Sequence, residues 1–268
     1  MFFLFVFFIG LAIGSFANAV IWRLEKEKSI VSERSQCPNC GHVLAWNDLI
    51  PLLSFLFLKG KCRYCQKPIS WQYPLIELTV AALAVFVFNQ IAFVFYPWIF
   101  VYALAIAFFL TVVFVYDLKL SLIADEIIYA AIGLTLLADI FLALRGCNLG
   151  GCASTNLFFP LIKNYFLAAS GASLFFLTIV VSSRGKWMGE GDIKLAFFMG
   201  LLLGWPGILV ALFSAFFFGA IIGLGLIAFG RKKMKSEVPF APFLIAGTLI
   251  AFFWGKIIID WYLGFFLI

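Results

Sequence analysis

Residues 98–126 read WIFVYALAIAFFLTVVFVYDLKLSLIADE. From Trp98 to Tyr116 the run carries no charge, and a helix needs about 20 such residues to cross the hydrocarbon core of a bilayer. At Asp117 an acid closes the run. A short polar link follows, and Asp125 and Glu126 open the next apolar stretch. Span, acid at the membrane edge, second span: this order decides the fold class.

Working outward, comparable runs cover approximately 2–22, 78–95, 98–117, 123–143, 157–182, 191–204, 206–230 and 241–266. The sixth is short, and Gly204 with Trp205-Pro206 marks a tight turn after it. The 268 residues are 65% hydrophobic and 12% charged, whereas a soluble domain is about half apolar and a quarter charged. The expected architecture is therefore an all-α polytopic membrane protein with about eight transmembrane helices. It divides into a first transmembrane helix (1–22), a polar cytoplasmic domain (23–77) and a transmembrane helix bundle (78–268). The first run has no basic residue ahead of it, and Gly10, Ala12, Gly14, Ser15 and Ala17 suit close helix packing, so it reads as a retained span and not a cleaved signal.

Orientation follows from the basic residues. With eight spans, every Lys and Arg except Arg145, Lys163 and Lys256 falls on one side, including the cluster RKKMK at 231–235. That side is expected to be cytoplasmic. The net charge of +6 then reflects topology and anionic lipid headgroups, and nothing calls for nucleic acid.

The insertion between the first two spans carries CPNC at 37–40 and CRYC at 62–65. Two CxxC pairs at this separation match a structural four-thiolate zinc site in which Cys37, Cys40, Cys62 and Cys65 surround one ion. Four thiolates leave no open coordination position, so the expected role is to fold the loop. His42, the chain's one histidine, reads as a surface residue. Between the knuckles WNDLIPLLSFLFLKG (46–60) is too apolar for a free loop, and is expected either in the membrane interface or packed on the bundle. Cys147 and Cys152, in GCNLGGC on the opposite side, leave a local disulfide and two free thiols equally open.

The carboxylates carry the chemistry. Asp125 and Glu126 open a helix, where capping accounts for an acid. Asp117 closes one, where the helix dipole disfavours an anion, so capping does not account for it. Glu190 and Asp192 lie in GEGD (189–192). Gly189 and Gly191 are expected to let a second backbone or an extended substrate approach Asp192. Asp117 and Asp192 together make an aspartyl dyad sharing a proton, one carboxyl activating water and the other protonating the leaving amine. Helix-end electrostatics would make Asp192 the base and Asp117 the acid. A proton-coupled transporter is the alternative class, because intramembrane acids also relay ions. A third reading is a membrane scaffold that docks through its knuckles.

Several ordered motifs then resemble those of the bacterial type IV prepilin peptidases, membrane aspartyl proteases of the GxGD type that also N-methylate the new pilin terminus. They are GSFANAVIWRL (14–24), the knuckle stretch SQCPNC through LIEL (35–78), DLKLSLIAD (117–125), GEGDIKL (189–195) and VPFAPFL (238–244). Ala124 stands where that family usually has proline, and alanine replaces a common glycine in the last motif. The resemblance implies that Asp117 and Asp192 are catalytic and that Asp125 orients its helix. It also implies a multi-pass protein of the bacterial inner membrane that cuts prepilins or type II secretion pseudopilins at the cytoplasmic face. S-adenosylmethionine as methyl donor and Glu77 near the methyl-transfer site follow from the resemblance alone. A peptidase without methyl transfer stays open beside the bifunctional form.

Overall fold

In the computed structural model residues 2–30, 34–90, 97–144, 147–148, 151–152, 158–228 and 239–266 are described. RKKMK and Arg145, on which the orientation partly rests, lie outside these residues, as do the side chains of Cys147 and Cys152. Among the described residues, seven helices are long and apolar enough to cross a membrane. The short sixth run forms a helix of 14 residues, about 21 Å at 1.5 Å per residue, against roughly 30 Å of hydrocarbon.

The chain forms two compact units, Met1–Val115 and Tyr116–Ile268. In the first, α1 (Phe2–Glu25) packs on α3 (Gln72–Gln90). Lipid tails are as apolar as leucine, so hydrophobicity cannot drive this pairing, and small residues that let backbones touch must do so. Gly10 and Gly14 provide that contact. A methyl group on Gly10 would sit 2.5 Å from the Ala81 Cα, and one on Gly14 would sit 2.6 Å from the Glu77 Cα. Phe16 stacks on Phe108 of α4 (Pro97–Leu120), and Phe88 meets Phe100 edge-on. Between α1 and α3 lie a 3₁₀ turn at Trp46–Asp48 and the five-residue α2 (Leu53–Phe57).

The second unit begins with the last residues of α4. It continues through α5 (Asp125–Leu144), α6 (Phe158–Ser183), α7 (Glu190–Leu203), α8 (Gly207–Ala228) and α9 (Ala241–Phe266). A two-residue antiparallel pair, β1 (Cys147–Asn148) with β2 (Gly151–Cys152), sets the backbones of Cys147 and Cys152 in register. The pairs α6–α7 and α8–α9 again close on glycine: a side chain at Gly200 would enter Ala169, and one at Gly247 would enter the Ala211 carbonyl. Gly204 ends α7 in the left-handed region (φ 62°), where its N–H still reaches the Gly200 carbonyl.

Candidate active site and four-thiol centre

The two knuckles are built alike. In each, the first cysteine N–H bonds the carbonyl five residues on (Cys37 to His42, Cys62 to Lys67), and its carbonyl accepts the N–H four residues on (Gly41, Gln66). The turn needs positive φ, which Gly41 (69°) and Gln66 (58°) supply. The four Sγ atoms lie within 4.8 Å of one another, and those of Cys37 and Cys65 are 4.0 Å apart. Thiolates on a tetrahedral zinc at about 2.3 Å would sit roughly 3.8 Å apart, so the cluster fits such an ion. Burial works against the Cys37 thiolate, but the backbone N–H groups of Asn39 and Cys40, together with the Cys40 and Cys62 thiols, overcome it and draw its pKa down to about 7. His42 is exposed and stacks on Tyr64 at 3.7 Å, joining one knuckle to the other. Asp48 holds the intervening loop to the second knuckle: it pairs with Arg63 at 2.8 Å and accepts the Tyr64 hydroxyl at 3.1 Å.

Asp117 and Asp192 are both buried, 5% and 8% exposed. Both belong to the second unit. Asp117 sits in the last turn of α4, and its carboxylate accepts the backbone N–H of Ala241, the first residue of α9. That resolves the puzzle of an acid at a helix C-terminus. The first N–H groups of a helix have no partner within it and form its positive end, so α9 supplies what α4 cannot. One oxygen of Asp117, Oδ2, is buried without a partner among the described residues. Asp192 is the third residue of α7 and accepts the N–H of Gly189, the residue that caps the helix. This is half of a capping box. The charge of Asp117 acts on Asp192. Each acid therefore faces a helix N-terminus, and helix-end electrostatics no longer makes one the base and the other the acid.

The flanking glycines differ. A side chain at Gly191 would meet Ile123 of the α4–α5 link at 2.9 Å, so the close approach expected there is present. Gly189 is extended (φ −80°), and among the described residues nothing outside its own turn comes within 4 Å of a side chain placed on it. Asp125 opens α5, exposed, and binds the Lys194 ammonium at 2.6 Å, which ties α5 to α7. That ammonium also lies 5.2 Å from the Tyr129 ring centre. Glu126 and Glu190 are exposed at their helix starts. Glu77 is buried on α3, where it accepts the Leu52 N–H at 2.9 Å and bonds the Ser15 side chain of α1.

Sequence reasoning passed over Asp139. It is buried in α5, its Oδ2 unpartnered among the described residues, and lies close enough to act electrostatically on Tyr165 of α6. A lone acid inside GLTLLADIFLAL was the signal available. Ala241 was also missed, because its contribution is a backbone group.

Against known proteins, the model described as Bacterial Peptidase A24 N-terminal domain matches residues 8–91, which include all four thiols. The model of the Type IV leader peptidase family matches residues 104–224, which include both aspartates. A protein named prepilin leader peptidase/N-methyltransferase from Bacillus subtilis (strain 168) is 33% identical over 96% of each chain. The chain belongs to the type IV leader peptidase family. Family members of the same name from Aeromonas hydrophila and Myxococcus xanthus (strain DK1622) are 32% and 35% identical. The alignments span 100% of this chain and 96% of the first relative, and 88% of this chain and 67% of the second. No solved structure matches the chain. Membership in a family of leader peptidases, with seven apolar helices, makes this a multi-pass membrane protein of a peptidase family.

Proposed function

We propose that the protein removes the leader of type IV prepilins or type II secretion pseudopilins, with Asp117 and Asp192 as the catalytic pair. What supports this reading is two buried carboxylates on separate helices, near enough for the charge of Asp117 to act on Asp192, with one Asp117 oxygen unpartnered among the described residues. Two adjacent carboxylates share a proton because both cannot ionise together. The ionised member draws a proton from a water whose oxygen attacks the scissile carbonyl, and the protonated member donates to the developing oxyanion. The tetrahedral intermediate then collapses, and a carboxyl proton passes to the leaving amine as the C–N bond breaks. The pair titrates as a unit, so acid and base are roles within it and not fixed residues. Gly191 seats the start of α7 against Ile123, and the open position at Gly189 gives an extended peptide room beside Asp192. Asp125, through Lys194, positions α7 relative to α5.

A prepilin joins a short basic leader to an apolar helix, which places its scissile bond at the membrane–water boundary. Both aspartates stand at helix ends, the level such a bond would reach. With the basic face inward, this is the cytoplasmic side of the inner membrane, and α7 serves as the short return between α6 and α8. The relatives are also named N-methyltransferases, and on this reading the new terminus is methylated with S-adenosylmethionine as the donor. Cys37, Cys40, Cys62 and Cys65 would hold a structural zinc that crosslinks the two knuckles. The transporter reading gains no support from the relatives.

The test incubates the purified protein with a prepilin and S-adenosylmethionine and determines the product's terminal mass. A shortened pilin carrying one added methyl group is expected. An uncut prepilin would refute the peptidase reading, and a cut but unmethylated product would restrict it to peptidase alone.

A further inference from the structure

The segment between the knuckles shows a second surface. Trp46 in the 3₁₀ turn, Leu49 just after it, and Leu53, Leu56 and Phe57 of α2 form an apolar stripe of exposed side chains, Trp46 by 80% and Phe57 by 82%. Phe55 turns the other way and packs on Trp71 at 5.1 Å. The apolar stripe is thus oriented by its own inner face, and α1 and α3 do not cover it.

Its depth is fixed by Glu77. The Leu52 N–H that begins α2 bonds Glu77, which lies five residues inside α3, about 7.5 Å along the helix axis. Glu77 in turn bonds Ser15, ten residues short of the end of α1, about 15 Å along that axis. Both helices are long and apolar enough to span a membrane. The start of α2 therefore lies beside the bodies of these two helices, not beyond their ends. An exposed apolar stripe at that level cannot face water without cost.

Charge identifies the occupant. From Arg34 to Trp71 the one acid is Asp48, which Arg63 already neutralises. Lys59, Lys61 and Lys67 remain exposed just past the stripe. An apolar face fringed by lysine and flanked by tryptophan is the composition of a segment lying in the bilayer interface, with the cations on anionic headgroups. We propose that Trp46–Phe57, with Trp71, is a monotopic anchor that seats the four-thiol domain on an anionic lipid surface. This rests on unit geometry alone and holds whether or not the chain cleaves prepilins.

The full-length protein, labelled with 5-fluorotryptophan, is placed in nanodiscs of phosphatidylcholine with phosphatidylglycerol. The variants Trp46→Phe and Trp71→Phe assign two fluorine resonances, both at exposed positions where the change is mild. Lipid spin-labelled near the headgroup should broaden both, while a water-soluble gadolinium chelate should leave them sharp. Lys59→Glu with Lys61→Glu should reduce the lipid broadening toward that seen in phosphatidylcholine alone. The proposal is overturned if the aqueous chelate broadens both resonances and the spin-labelled lipid neither. It is equally overturned if they respond only when a prepilin helix is added, which would make the stripe a protein-docking face.

Discussion

Replacing Gly191 by alanine tests whether the start of α7 is set by its contact with the α4–α5 link. The new Cβ would lie 2.9 Å from the Ile123 Cβ, 3.1 Å from its Cγ1 and 3.2 Å from its Cδ1. Ordinary carbon contacts begin near 3.5 Å, so either Ile123 or the first turn of α7 must give by several tenths of an ångström. Overpacking of this kind costs about 1–3 kcal/mol. Asp192 is the next residue, so any yielding of α7 moves its carboxyl relative to Asp117. Displacements approaching 1 Å at a reacting group cost on the order of 100-fold, and a loss of roughly 10- to 100-fold in kcat is expected for Gly191→Ala. Relief should be graded. Adding Ile123→Ala removes the Cγ1 and Cδ1 contacts but leaves Cβ, and adding Ile123→Gly removes all three. Prepilin cleavage rates should therefore rise in the order Gly191→Ala alone, with Ile123→Ala, with Ile123→Gly, after correction for the two Ile123 single variants. Thermal unfolding should follow the same order. An alanine variant as active as wild type, or second substitutions that bring no recovery, would refute the steric account.

The remaining expectations concern the flanking groups. The Asp125–Lys194 pair is solvent-exposed, and such pairs contribute about 0–1 kcal/mol, so Asp125→Asn should lower stability by no more than that and kcat by less than about tenfold; a double-mutant cycle with Lys194→Ala measures the coupling. Asp139 has an oxygen without a partner, and removing an unpaired buried acid is neutral or stabilising, so Asp139→Leu should keep its cleavage rate and hold or raise Tm. Cys37 has its pKa drawn below the ordinary thiol value, to about 7. Its thiolate is therefore favoured above that pH and lost as pH falls through it. Because bound thiolates must be deprotonated, zinc uptake by the metal-free protein, followed against a chromophoric chelator, should strengthen as pH rises through about 7 and go on strengthening above it, since Cys65 is pushed up to about 11. Metal analysis should then find one equivalent per chain.

How far the sequence reveals this molecule depends on the kind of signal. Apolar runs are long, so most spanning helices are legible to within a few residues, and Trp98–Leu120 is marked by its own composition; α3 is the exception, starting at Gln72, six residues before the run read from 78, because its first turn is polar. The four thiols are legible because a tetrahedral ion imposes spacing on the chain. The two aspartates of the proposed dyad were visible as acids in costly places. What joins them to their surroundings was not visible. Asp117 depends on a main-chain N–H at Ala241, and no side-chain pattern records where a distant helix starts. The Leu52–Glu77 bond is likewise a main-chain donor meeting a remote carboxylate. Asp139 was legible in principle, yet it lacks the flanking glycines that drew attention to GEGD. The shortness of α7 could be read from Gly204 and Pro206, but a pattern of apolar residues does not say whether a 14-residue helix crosses.

The most direct measurement is the cleavage rate of Asp117→Asn and of Asp192→Asn in lipid vesicles with a prepilin, each variant first shown to retain the wild-type unfolding temperature. Two carboxyls acting as one unit predict that each substitution abolishes turnover, by on the order of 10³-fold or more, and that the double variant is no worse than either single. A folded variant of either kind that still cleaves near the wild-type rate would contradict the account.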